Sequence, residues 1–189
     1  MKIALFGGRF DPPHLGHYWV ARQVLDLRQD IDKVVLIPAY QHQWKEAMAT
    51  PTQRMAMLRS FTGEGIEVSD IELKRQGVSY TIDTIRELKE RTGAEVLWVV
   101  GSDILHEFER WEKADELVQE AGFLVFPRDP YHLPPSIPPG FEVLSDTRLI
   151  TSNLSSTIIK QRRKEGLSLK GFVLPQVETY IAENSLYLT

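Results

Sequence analysis

None of the 189 residues is a cysteine. A disulfide framework, cysteine-ligated zinc and thiol catalysis are therefore excluded. The same absence fits a reducing compartment, and a cytoplasmic protein is the expectation. Long apolar runs are also missing. No stretch approaches the roughly 20 residues a membrane span needs, and the apolar part of Met1–Gly8 is too short for a secretory signal. Positive charge is not in surplus: 22 Lys+Arg face 26 Asp+Glu, a net of −4, which opposes a generic nucleic-acid coat. Neither a Gly-x-Gly-x-x-Gly nor a Gly-x-x-x-x-Gly-Lys-Ser/Thr follows the first apolar run. Nicotinamide-dinucleotide redox chemistry and P-loop NTPase chemistry are disfavoured accordingly.

What remains has ordinary globular composition, 42% apolar and 25% charged. A chain this long buries roughly 70% of its unfolded surface. Its periodicities alternate. Lys2–Phe6 reads as a buried strand stopped by Gly7-Gly8. His14–Arg28 places Val20, Val24 and Leu27 on one helical face, and Lys33–Ile37 is a second strand. Thr50-Pro51-Thr52-Gln53 is a capping box with proline at the first helical position. Ile66–Ser69 and Ile71–Leu73 read as short extended pieces. Thr81–Arg91 is helical and stopped by Gly93. Glu95–Val100 is the clearest strand. Asp103–Glu120 is helical with a break near Trp111, and Phe123–Phe126 is another strand. Pro130–Gly140, with five prolines, is a loop. Two helices follow, near Ser156–Lys164 and Gln176–Glu183. This β-α repetition predicts a Rossmann-like α/β fold, doubly wound on a mostly parallel sheet. The core spans about residues 1–152, with a small helical portion over about 153–189, in one domain.

The informative segment is Gly7-Gly8-Arg9-Phe10-Asp11-Pro12-Pro13-His14-Leu15-Gly16-His17, at the first strand-to-helix junction, where open α/β folds bind ligands. Gly7 and Gly8 let backbone N–H groups approach a phosphate. His14 and His17, three residues apart, share a helical face at the positive end of the macrodipole and can donate to phosphate oxygens. Gly16 lets a nucleotide lie against the helix backbone. The same histidines read as zinc ligands lack cysteine partners and an obvious third ligand. A tight turn with surface histidines is the plain structural alternative.

This segment resembles the His-x-Gly-His signature of the nucleotidyltransferase superfamily. Within it, Gly-Gly-x-Phe-Asp-Pro-x-His-x-Gly-His is similar to bacterial nicotinate-nucleotide adenylyltransferases. Four further elements resemble that family in order: Ser79-Tyr80-Thr81-Ile82-Asp83-Thr84, Gly101-Ser102-Asp103 followed by Trp111, Leu154-Ser155-Ser156-Thr157-Ile158-Ile159, and Leu174–Ile181 with Leu186-Tyr187. The resemblance implies transfer of AMP from ATP to nicotinate mononucleotide, giving deamido-NAD and pyrophosphate by in-line attack without a covalent intermediate. His14, His17 and Lys45 would be catalytic. Gly7, Gly8, Arg9, Phe10, Gly101, Asp103, Ser155, Ser156, Thr157 and Lys160 would join the histidines in binding ATP. Gly8, Lys45, Tyr80, Thr81, Asp83, Trp111 and Arg128 would bind nicotinate mononucleotide. Mg²⁺ would be held mainly by ATP phosphates, with no protein metal site. The sequence departs from the family at Arg9, where Thr or Ser is common, at Tyr40–Lys45, which replaces a Pro-Pro-His-Lys-like stretch, and at Lys160, which replaces an arginine.

Charge is unevenly placed. Residues 103–120 hold seven acids against Arg110 and Lys113, whereas 160–170 hold five basic residues against Glu165. The basic run, placed after the helix-start signal Ser155-Ser156-Thr157, suggests triphosphate binding by Lys160, Arg162 or Arg163. A solvated helix face is the bland reading. The loop Tyr40–Thr50 is expected to close over ATP. Nicotinamide mononucleotide, a phosphopantetheine or cytidylyl substrate, or a non-catalytic nucleotide sensor are the competing readings. ATP and nicotinate mononucleotide are the expected partners, with neither nucleic acid nor membrane, and homo-oligomerisation is left open.

Overall fold

The computed structural model describes residues 1–188. Six strands form one sheet: β1 Lys2–Gly8, β2 Lys33–Pro38, β3 Ile66–Val68, β4 Glu95–Gly101, β5 Gly122–Phe126 and β6 Phe141–Val143. Their order is β3-β2-β1-β4-β5-β6, and every pairing is parallel. That is the doubly wound order, which reverses direction between β1 and β4. Successive side chains of a strand point to opposite faces, and both faces here are apolar. Ile3, Leu5, Val35, Ile37, Val96, Trp98 and Val100 pack on one side. Ala4, Leu36, Leu97, Val99 and Leu124 pack on the other. Truncating one of these fully buried leucines to alanine costs about 2–5 kcal/mol.

Helix α1, Leu15–Leu27, buries Ala21 and Val24 with Ile159, Val173, Val177 and Ile181 on the second face. The last four belong to α6, Ser156–Lys164, α7, Pro175–Glu183, and the stretch between them. The expected helical portion thus shares a core with the sheet. α2, Pro51–Leu58, begins at the Thr50 capping box, with Thr50 Oγ1 accepting from Gln53 N–H at 3.2 Å. α4, Thr81–Thr92, covers the first face and ends at Gly93, whose φ of +63° suits a residue without Cβ.

Three expectations are corrected, and one strand is added. Ile71–Leu73 is not extended but lies in the short helix α3, Ile71–Arg75. Ile71 and Glu72 are both buried there, and tertiary packing overrides a weak local pattern. β1 runs through Gly7 and Gly8, which pair with Ile37 and Pro38, so these glycines end a strand rather than form a loop. Asp103–Arg110 is not α-helical; it forms two 3₁₀ turns, Ser102–His106 and Phe108–Arg110, before α5, Ala114–Glu120. The break falls at Trp111–Lys113, and Lys113 takes a left-handed φ of 57°. The edge strand β6 escapes periodicity analysis because it has three residues and follows the proline-rich loop.

Candidate active site

The carboxyl ends of β1, β4 and β5 open into a cleft of about 550 Å³. It lies where the strand order reverses, the position at which an open α/β sheet leaves a crevice. Gly7, Gly8, Arg9, Phe10, His14, Gly16 and His17 line it from the first junction. Lys45, Tyr80, Thr81, Gly101, Asp103, Trp111, Arg128, Ser155, Ser156 and Thr157 line it from elsewhere. Residues spread over 150 positions therefore converge. Asp83 and Lys160 do not line the cleft. Asp83 is exposed on α4, with its neighbours Ile82 and Thr84 turned inward.

The histidine turn is built more tightly than its spacing implies. His14 is not inside the helix: it is the N-cap of α1, in extended conformation, and only His17 is helical. The rings nevertheless stack at 3.7 Å between centroids. His17 Nδ1 accepts from His14 N–H at 3.1 Å, which puts the His17 proton on Nε2 and leaves Nε2–H free to donate. His14 is buried, and its Nδ1 has no partner among the described residues. Burial, then the positive charge of Arg128, holds His17 down to about 3. Burial, His17 and Arg128 likewise keep His14 well below the usual imidazole range. Both rings are neutral at pH 7, and anionic ligand oxygens would reverse the electrostatic part of that shift.

The glycines are explained by close approach. A Cβ on Gly16 would lie 2.9 Å from His14 Nδ1, so only glycine lets the His14 ring stand over the first helical turn. A Cβ on Gly7 would run into the Trp98 ring, and one on Gly101 into the Asp103 carboxylate. Phe10 is buried with φ of +49°. Its ring meets the His17 ring edge-on at 4.8 Å, so it supports the imidazole from beneath.

Across the cleft, Tyr80 is the N-cap of α4 and Thr81 its first residue. The cap makes no side-chain bond, so Thr81 does not act as a capping residue. Exposed first-turn N–H groups carry the positive end of the α4 macrodipole. Half-buried Trp111 packs against Phe108 at 5.6 Å, and its N–H donates to Phe108 O at 2.9 Å. That N–H is therefore engaged within the protein.

The loop between β2 and α2 contributes His42, Gln43, Trp44 and Lys45 to the cleft. Arg9 Nη1 donates to Glu46 O at 3.0 Å, and the Arg110 guanidinium sits 4.8 Å from the Trp44 ring centroid. The loop is thus held from both sides of the cleft, with Lys45 exposed.

The third segment lining the cleft is the start of α6. Ser155 Oγ accepts from Ile158 N–H at 3.3 Å as the helix cap. Ser156 Oγ donates to Pro12 O at 2.8 Å. The two hydroxyls thus build the site's frame. The basic run beyond them is committed elsewhere. Lys160 Nζ lies 3.3 Å from Asp11 Oδ2. Arg162 donates to Ser168 O and lies over Phe172. Arg163 donates to Leu186 O. Among the cleft-lining cations, Arg128 is the one beside Asp103, at 3.6 Å.

Three buried ionic residues, Asp11, Arg54 and Glu72, are not marked as buried by the local sequence. Asp11 and Arg54 are each 1% exposed. Arg54 donates to the carbonyls of Arg9, Tyr40 and Ala49 at 2.7, 3.0 and 3.2 Å, joining the histidine turn to both ends of the loop. Nothing in the periodicity of α2 marks Arg54 as buried. Asp11, inside the motif, was the detectable one.

The cytidylyltransferase-like family profile matches residues 5–162. A probable nicotinate-nucleotide adenylyltransferase from Gemmatimonas aurantiaca is 36% identical over 198 residues, spanning 99% of this chain and 92% of its own. One from Shouchella clausii is 35% identical over 196 residues, spanning 98% and 96%. Among solved structures, Plasmodium falciparum nicotinic acid mononucleotide adenylyltransferase complexed with NaAD superposes with a TM-score of 0.80. It shares 19% identity and covers 98% of this chain and 97% of that one, a likeness of fold. With its fold, its histidine turn and relatives matched along nearly its whole length, the chain belongs to the nicotinate-nucleotide adenylyltransferase family of cytidylyltransferase-like nucleotidyltransferases.

Proposed function

We propose that the cleft transfers AMP from ATP to nicotinate mononucleotide, releasing pyrophosphate and forming deamido-NAD, in a cytoplasmic step of NAD synthesis. The observation that carries this reading is the stacked neutral pair His14–His17 lining the cleft, with a fixed Nε2–H on His17. The pair lies at the N-terminus of α1, where phosphate oxygens are favoured.

A mononucleotide phosphate oxygen attacks the α-phosphorus of ATP; the new P–O bond forms as the bond to the β-phosphate bridging oxygen breaks. The nucleophile is already an anion, so the protein supplies no base and forms no covalent adduct. Catalysis is alignment plus stabilisation of developing charge. His17 and His14 donate to the ATP phosphates, joined by Arg128 and the free N–H groups at the start of α6. Asp103 receives the ATP ribose. Lys45 faces the mononucleotide phosphate. Tyr80, Thr81 and Trp111 enclose the pyridine ring, with the α4 N-terminus toward its carboxylate. ATP would enter as its Mg²⁺ complex. Mg²⁺ would be held mainly by the triphosphate oxygens and would neutralise the departing pyrophosphate.

The α4 N-terminus favours a full negative charge over a carboxamide. Pyrophosphate release from ATP should be at least about tenfold faster, as kcat/KM, with nicotinate than with nicotinamide mononucleotide. An equal or better rate with the amide overturns the substrate assignment. No release with either supports a nucleotide sensor instead.

A further inference from the structure

The Asp11 carboxylate has four donors, two on each oxygen. Oδ1 accepts from Ala49 N–H at 3.0 Å and from the Tyr187 hydroxyl at 2.8 Å. Oδ2 accepts from Met48 N–H at 2.9 Å and from Lys160 Nζ at 3.3 Å. These fill the usual capacity of a carboxylate. Burial alone would raise its pKa, but the two N–H groups, Tyr187 and Lys160 outweigh that and hold it below the ordinary value. The four donors come from three distant parts of the chain: the end of the Lys45 loop, α6, and the turn after α7.

That turn is not a casual one. Ser185 and Tyr187 both take left-handed φ, 52° and 61°, a conformation unfavourable for residues with a Cβ. Tyr187 is 4% exposed in the core that holds Ile159, Val177 and Ile181, and Arg163 holds the carbonyl of Leu186. The strain is sustained so that a tyrosine hydroxyl reaches the carboxylate three residues ahead of His14.

We infer that Tyr187 and Lys160 are positioning residues. Through Asp11 they fix the loop carrying Lys45 against the turn carrying His14 and His17, and so set the separation of acceptor and donor phosphates. Lys160 on this view is the counter-ion of Asp11 and not a triphosphate ligand. The inference rests on the proposed adenylyl transfer, because positioning is defined by that reaction. Misalignment by about 1 Å costs as much as 10²-fold in rate without touching the chemistry.

The test combines steady-state kinetics with amide hydrogen exchange on the full-length protein and its Tyr187→Phe and Lys160→Met variants. Tyr187→Phe keeps the ring in the core and removes only the hydroxyl. In both variants kcat should fall about 5- to 50-fold, KM for ATP and for the mononucleotide should stay within about 3-fold, and the Met48 and Ala49 amides should exchange faster than in the unmodified protein. Unchanged exchange at Met48 and Ala49 overturns the latch whatever the activity. Faster exchange with unchanged kcat overturns the positioning role. A tenfold rise in ATP KM confined to Lys160→Met returns Lys160 to the triphosphate. Were the unmodified protein to release no pyrophosphate, the functional reading would fail while the exchange data still judged the latch.

Discussion

The turn Gly8–His17 and the loop Tyr40–Thr50 both face the cleft, yet they are built in opposite ways. In the turn, Phe10, Asp11, Pro12, Pro13 and His14 are buried. Its key bond, His14 N–H to His17 Nδ1, spans three residues. In the loop, Gln41, Gln43, Trp44, Lys45 and Glu46 are exposed. Its restraints come from outside: Arg9 on Glu46, Arg54 on Tyr40 and Ala49, Asp11 on Met48 and Ala49, and Arg110 on Trp44. The turn is thus preorganised by burial, by its local histidine bond and by the donors that Arg54, Ser156, Lys160 and Tyr187 bring to it, which suits stabilisation of a transition state. The loop is anchored at its ends and exposed at its middle, which suits capture and release of a substrate.

The largest effect should come from the turn. His17→Ala should lower kcat by about 10²–10³, with a smaller change in ATP KM, because a preorganised donor acts mainly in the transition state. Steady-state kinetics at saturating mononucleotide check this. A change confined to KM would make the turn a binding element like the loop.

The second effect follows from the burial that defines the turn. The folded-state pKa values of His14 and His17 lie below the ordinary 6.5, His17 at about 3. The unfolded chain therefore binds more protons below pH 6.5, so stability is full above that pH and is lost as pH falls toward 3. Denaturant unfolding between pH 7 and 5 should lose about 2 kcal/mol per pH unit, about 1 from each histidine, and replacing His17 by Gln should roughly halve the slope. A stability that rises on acidification would contradict the neutral pair.

The loop should give a smaller and different signature. Lys45→Ala should raise the mononucleotide KM about tenfold, worth about 1.4 kcal/mol, while ATP KM and thermal stability stay near those of the unmodified protein. Two-substrate kinetics separate the terms. A loss in kcat as large as that of His17→Ala would erase the distinction between the two regions.

The same contrast governs what could be read from sequence. The turn was legible because its residues are contiguous and each type has one physical use: glycine for approach, histidine for neutral donation. Even there the reason for Gly16 was incomplete, since the clash it avoids is with the His14 ring. Strands β1, β2, β4 and β5 were legible because parallel strands buried on both faces read as unbroken apolar runs. The loop was opaque because its restraints are long-range. No local pattern says that Arg54 lies beneath it, or that Asp11, 38 positions before Ala49, holds its end. The partners of the basic run after Ser155-Ser156-Thr157 were hidden for the same reason. Its charges face Asp11, Ser168, Phe172 and Leu186, partners that local spacing does not reveal.

Underlying both regions is one claim: the protein aligns two phosphates and contributes neither nucleophile nor base. The stereochemical course tests this most directly, with ATP made chiral at the α-phosphorus by a single sulfur substitution and nicotinate mononucleotide as acceptor. One direct in-line displacement predicts inversion of configuration at phosphorus in the dinucleotide product. Retention would require two displacements, and with them a covalent adenylyl-enzyme, contradicting the account.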